Sequence, residues 1–192
     1  MKNNYLAETL TDLALITKKV QTEFGTLSVA QLNWQSAADK WSIAQCLDHL
    51  IKTNEQYFPL LIGVATGNRK KSVWERLPLL PGLIGKLMRK SIHPDNLKPL
   101  KAPAIFRPAT SSISSSIVTN FSQHQEELMN LIRTTDSVNH LETIVSSPLS
   151  ALLTFSLKDG ICILALHEER HFRQAQRVLH LADFPQQLGA VI

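Results

Sequence analysis

Near its C-terminal end the chain reads "HEERH", His167 to His171. Two histidines four residues apart on a helix project from one face and can share a metal ion. With a glutamate in second place the pattern is H-E-x-x-H, the zinc-protease arrangement in which the glutamate activates water. That chemistry needs a third ligand, usually downstream. Only 21 residues follow His171, and none is Glu. The extended protease pattern would place glycine and histidine where this chain has Gln174 and Arg177. His180 lies nine residues on, roughly 13 Å along the same helix, and cannot share an ion with His171. The protease reading fails, and the metal-binding pair survives it.

A third ligand must then come from a facing element. His49 and His124 fall on expected helices, and His93 and His140 in connecting segments. Three neutral imidazoles leave coordination positions open for water or substrate, as in a catalytic metal site. Glu168, about 100° around the helix from His167, either reaches the rim of such a site as a proton acceptor or faces solvent. His124 sits on the apolar stripe of its own helix and should point inward, as a proton acceptor or a support to the site. Gln174 could orient a ligand imidazole through its outer nitrogen.

The elements that must position these side chains are helical. Leu6, Leu10, Leu13, Ile16, Val20 and Phe24 recur at three- and four-residue steps until Gly25 ends the pattern. Ser42 with Gln45 forms a capping box that starts a second helix, with Trp41 placed to pack on Cys46 as a hydrophobic staple. Its inner face is Ile43, Cys46, Leu47, Leu50, Asn54, Tyr57, Phe58 and Leu61, and Pro59 could kink or shorten it. Thr110 or a nearby serine caps a third helix, striped by Ile113, Ile117, Phe121, His124, Leu128 and Leu131 or Ile132. Ser156 and Asp159 suggest another capping box and a last helix over about 157–181, with Ile161, Leu164, His171, Ala175 and Val178 on one face. Four such helices without sustained two-residue alternation predict an all-α fold, a four-helix bundle in a single domain spanning 1–192.

Between the second and third helices the chain changes character. Residues 67–107 hold ten Lys/Arg against Glu75 and Asp95, a local charge of +8 within a chain of net +4. Prolines at 78, 81, 94, 99, 103 and 108 punctuate it. A connection of this length is expected to act as a lid or crossover. Its "PGLIGKLMRKSI" can form a basic amphipathic helix, with Leu83, Ile84, Leu87 and Met88 opposite Lys86, Arg89 and Lys90. Such a helix packs on its own domain or lies on an acidic membrane. The charge favours an anionic partner, most simply a small molecule. With Trp74 and Phe106 the segment has little of the aromatic interleaving of a single-strand nucleic-acid binder.

With 192 residues and 44% apolar content the chain can bury one ordinary core. The N-terminal segment reads as a folded helix rather than a signal peptide, and no apolar run approaches the roughly 20 residues of a membrane span. A cytoplasmic protein is expected. Cys46 and Cys162 fit buried reduced thiols.

The stretches "KWSIAQCLDHLIKTNEQYF" and "LALHEERHFRQAQRV" together resemble the DinB/YfiT-like family, specifically its DinB-like branch. That family has a W-S-[IV]-x-x-x-[LIV]-x-H-L helix start with one metal histidine and a late H-x-x-x-H-x-x-Q helix with two more. Carried over by position, the resemblance makes His49, His167 and His171 the ligands. It implies a four-helix bundle with a long crossover between helices 2 and 3, a divalent transition metal (Ni, Zn, Fe or Mn) and frequent homodimers. Members of the family include thiol transferases that use bacillithiol or mycothiol and a mycothiol-dependent isomerase. The expected function is therefore metal-dependent transfer of a low-molecular-weight thiol. The alternatives are a metal-dependent hydrolase with Glu168 or His124 as proton acceptor, a non-catalytic metal-stabilised bundle, or a module binding anionic surfaces such as nucleic acid or membrane.

Overall fold

The computed structural model describes residues 1–77, 80–98 and 101–186; Pro78 and Pro99 lie outside the described residues. Helix α1 spans Tyr5–Phe24, α2 Val29–Asn33, α3 Ile43–Ala65, α4 Leu80–Ile92, α5 Ile117–Thr134 and α6 Leu157–Leu179. Strands β1 (Ile144–Ser147) and β2 (Ser150–Ser156) form an antiparallel hairpin that pairs Val145 with Phe155. The fold is mostly helical. Helix α3 packs on α5 and α6, and α1 packs on the same two.

The apolar spacing of α1 is realised in full: its six stripe residues are buried, and the helix ends at Gly25. Ser42 accepts from Gln45 N while the Gln45 side chain accepts from Ser42 N, the expected reciprocal cap that starts α3. Pro59 faces outward and does not shorten α3, which runs on to Ala65. Gly67, with φ 71°, then turns the chain away in a conformation that costs an L side chain more. At α6, Ser156 accepts from Asp159 N, but its hydroxyl meets the Asp159 carboxylate, so only half of the expected box forms. The start of α5 departs further: it lies at Ile117, and its N-cap Ser116 makes no side-chain capping bond.

Three features were not expected. A second capping box, Ser28 with Gln31, starts the short α2. The hairpin occupies the stretch where helical spacing fails, and buries Val145 and Phe155 in the core. Helix α4 packs on β2 and α6 with Ile84 and Met88 turned inward, while Leu83 and Leu87 stay exposed instead of joining them. No helix among the described residues is long and apolar enough to cross a membrane.

The core divides into two apolar clusters. One gathers Leu6, Leu13, Tyr57, Leu61, Leu128, Phe155 and Ile161; the other Ile16, Phe24, Leu47, Phe121 and Phe172. Between them in chain order, α3, α5 and α6 each contribute a fully buried polar residue: Asn54, Gln125 and Glu168. The conserved-volume logic of an apolar core is interrupted at this level, where polar groups need partners to offset their lost hydration.

Candidate metal centre

His49 lies two turns into α3, and His167 and His171 one turn apart on α6; the packing of α3 on α6 brings them together. One ligand atom from each lies within 4.8 Å of the others. His49 Nε2 and His167 Nε2 are 3.2 Å apart. Two nitrogens bound at about 2.1 Å to one tetrahedral ion lie about 3.4 Å apart, so this spacing fits a shared metal. The three ring centroids are 4.5 to 5.0 Å from one another. His124, His93 and His140 are not in the group, and His49 is the partner that α6 meets.

The surroundings favour neutral imidazoles, the form that binds metal. Burial pushes His167 down to about 3 and His171 well below its ordinary value, with the neighbouring histidines adding repulsion; burial also lowers His49. His49 Nδ1–H donates to the Phe106 carbonyl at 2.5 Å, which fixes the tautomer and leaves Nε2 as the free electron pair facing its two partners. His167 Nδ1 and His171 Nδ1 are buried without a hydrogen-bond partner. Gln174 lies close enough to His171 to favour its charged form, without a hydrogen bond to the outer Nδ1 that it was expected to orient. Three neutral imidazoles with ligand atoms within 4.8 Å of one another are a donor set that fits a divalent transition metal.

Trp41 is more than a staple. Its ring stacks on His171 at 5.6 Å with 27° between planes, and sits 4.8 Å from His49. It joins the three histidines in lining a cavity of about 870 Å³, whose wall also includes Thr53, Tyr57 and Phe106. The crossover lines this cavity and is tied from both sides. From α3, Gln45 donates to Ala109 O, Asp48 accepts from Ala109 N, and His49 reaches Phe106. From α6, Arg170 donates to the carbonyls of His93, Asn96 and Lys98, and Arg173 pairs with Asp95.

Two expected participants lie elsewhere. Glu168 neither reaches the rim nor faces solvent. It is wholly buried on the core side of α6, accepts from Asn54 Nδ2 at 2.5 Å, and is raised to about 7 by burial, against the lowering effect of Asn54 and Gln125. Its place was legible: it stands seven residues from both Ile161 and Ala175 and four from Leu164, at the centre of the apolar stripe. His124 points inward as expected, but stacks on Phe58 at 4.9 Å, with burial lowering it to about 4. Neither lines the cavity. Cys46 is also remote from this chemistry, since burial pushes its thiol up to about 12.

The basic segment is divided in its uses. Arg69 is spent on a buried pair with Glu75 at 2.7 Å, which also receives Ser146, and Arg89 pairs with Asp159. Lys101 and Arg107 line the cavity.

A mostly helical protein with three convergent imidazoles on the wall of a cavity is thus defined. The profile of the DinB superfamily matches residues 13–175, and the chain belongs to that superfamily. Comparison with curated proteins and with solved structures returns no match.

Proposed function

We propose that the chain is a metal-dependent enzyme on a four-helix bundle of α1, α3, α5 and α6, and that it transfers a low-molecular-weight thiol to an electrophile. The observation that carries this reading is the convergence of His49, His167 and His171 on one point, with His49 and His167 Nε2 atoms 3.2 Å apart, at the wall of the cavity. A divalent ion held there would lower the pKa of a thiol bound to it and keep it as the nucleophilic thiolate.

The protein's own residues prepare that chemistry. The Phe106 carbonyl holds the His49 ring by its Nδ1–H, so that Nε2 stays unprotonated and aimed. Trp41 shields two of the three rings from water. Arg170 fixes the backbone of the crossover segment that lines the cavity. Hydrolysis would need a proton acceptor in the cavity; the residues expected in that role, Glu168 and His124, do not line it, and the one acid that does, Asp39, is paired with Lys40. This favours thiol transfer.

The test is a titration of cobalt-loaded wild-type protein with small thiols, followed through the ligand-to-metal charge-transfer bands. Saturable new bands at one equivalent of thiol support the reading. Cobalt-loaded protein whose spectrum is indifferent to every thiol offered rules out the transferase.

A further inference from the structure

The residues of α6 that line the cavity do not stop at the histidines. His167, Arg170, His171, Gln174 and Arg177 all lie on the cavity wall. At 100° per residue they fall within about 120° of the helix circumference, a single stripe. From His171 to Arg177 the stripe advances roughly 9 Å. The crossover adds Lys101 and Arg107 to the same lining, and Lys40, next to Trp41, joins them. Five cations therefore line this cavity against a single acid, Asp39, which is paired with Lys40 at 3.1 Å.

Their commitments differ. Arg170 spends its donors on backbone carbonyls, which leaves its charge uncancelled. Arg107 uses only Nε, on Ala102 O at 3.3 Å. The side chains of Lys101 and Arg177 make no hydrogen bond or ion pair with any described residue. A walled cavity with one sign of charge concentrates the opposite sign, and exposed guanidinium groups bind carboxylates or phosphates by charge-assisted hydrogen bonds.

We infer that the cavity takes a ligand with two parts: a donor group at the three histidines, and a carboxylate or phosphate end held by the cations Lys101, Arg107 and Arg177 that line the same cavity. The inner end rests on the thiol reading above; the anionic end rests on the cations alone. Selectivity for acidic over neutral thiols then resides in α6 and the last residues of the crossover, and not in the basic segment as a whole.

Calorimetry on cobalt-loaded protein tests this with three probes: mercaptosuccinate, which has sulfur and two carboxylates; 2-mercaptoethanol, with sulfur alone; and succinate, with carboxylates alone. The double variant Lys101→Glu, Arg177→Glu alters two exposed side chains outside the apolar core, so metal content and melting temperature should match wild type. Wild type should bind mercaptosuccinate at least about tenfold more tightly than 2-mercaptoethanol, and the double variant should lose that preference. Arg177→Lys should retain most of it. Mercaptosuccinate bound equally by wild type and the double variant overturns the anionic end while leaving the thiol reading intact. Succinate bound by wild type and lost in the double variant, with no thiol reaching the metal, sustains the anionic end and removes the thiol reading.

Discussion

His140 and His171 are both buried, yet their ring nitrogens are treated in opposite ways. His140 Nε2–H donates to the Thr135 carbonyl at 2.8 Å, Nδ1 accepts from the Tyr5 hydroxyl at 2.7 Å, and its backbone N–H reaches Asn3. Every polar atom is matched, and the ring pins the segment between α5 and β1 to α1. In the histidine group the Nε2 atoms of His49 and His167 meet only each other, at 3.2 Å, and the Nδ1 atoms of His167 and His171 are buried without a partner. A histidine kept for structure is satisfied by the protein; one kept for a ligand is left with capacity to spare. The difference separates a pin from a binding site more sharply than burial does.

The largest expected effect is on the unsatisfied group. His49→Ala should lower metal affinity by more than about 100-fold, since a lost ligand costs more than a lost ligand-supporting contact. Equilibrium dialysis against a competing chelator measures it, and His140→Ala should leave that affinity unchanged. In stability the order reverses. His140→Ala strands the Tyr5 hydroxyl, leaves the Thr135 carbonyl with the Val138 N–H alone, and should cost about 2 kcal/mol by denaturant unfolding, with the metal-free protein equally affected.

His124 sharpens the contrast from a third position, as a buried ring with an apolar neighbour and an unpaired Nε2. Its folded pKa of about 4 lies below the ordinary 6.5, so the unfolded chain takes up the proton first as pH falls. Stability from this residue is complete above pH 6.5 and is lost as pH falls towards 4, by up to about 3 kcal/mol before solvent screening is allowed for. His124→Phe keeps the stack on Phe58 and should flatten that part of the stability profile, read as urea midpoints between pH 7 and 4. The smallest effect belongs to the Trp41 cover. Trp41→Ala should accelerate loss of metal to a chelator several-fold, with stoichiometry unchanged, because it opens His49 and His171 to water without removing a ligand.

Much of this was legible in the sequence, and the exceptions have physical reasons. The α1 stripe, the Ser42 cap and the span of α6 follow from local rules: three- and four-residue spacing and reciprocal capping. The grouping of His49 with His167 and His171 did not follow from spacing, since it depends on how two helices more than a hundred residues apart pack; the family resemblance supplied it. The hairpin was hidden because its pairing is non-local, and because β2 leaves Ala151 and Leu152 exposed while burying Thr154 to Ser156, which is not the alternation of a half-buried strand. Glu168 was misplaced for a different reason. Its charge argued for the surface while its position argued for the core, and position prevailed because Asn54 on α3 supplies a hydrogen bond that no reading of α6 alone contains.

The central claim is that His49, His167 and His171 together hold one divalent ion. X-ray absorption on protein loaded with a single equivalent of cobalt tests it most directly. Three imidazole nitrogens at about 2.0 to 2.1 Å are expected, falling to two in His49→Ala reloaded at high metal concentration. A wild-type spectrum with one imidazole or none, or one that His49→Ala leaves unchanged, would contradict it.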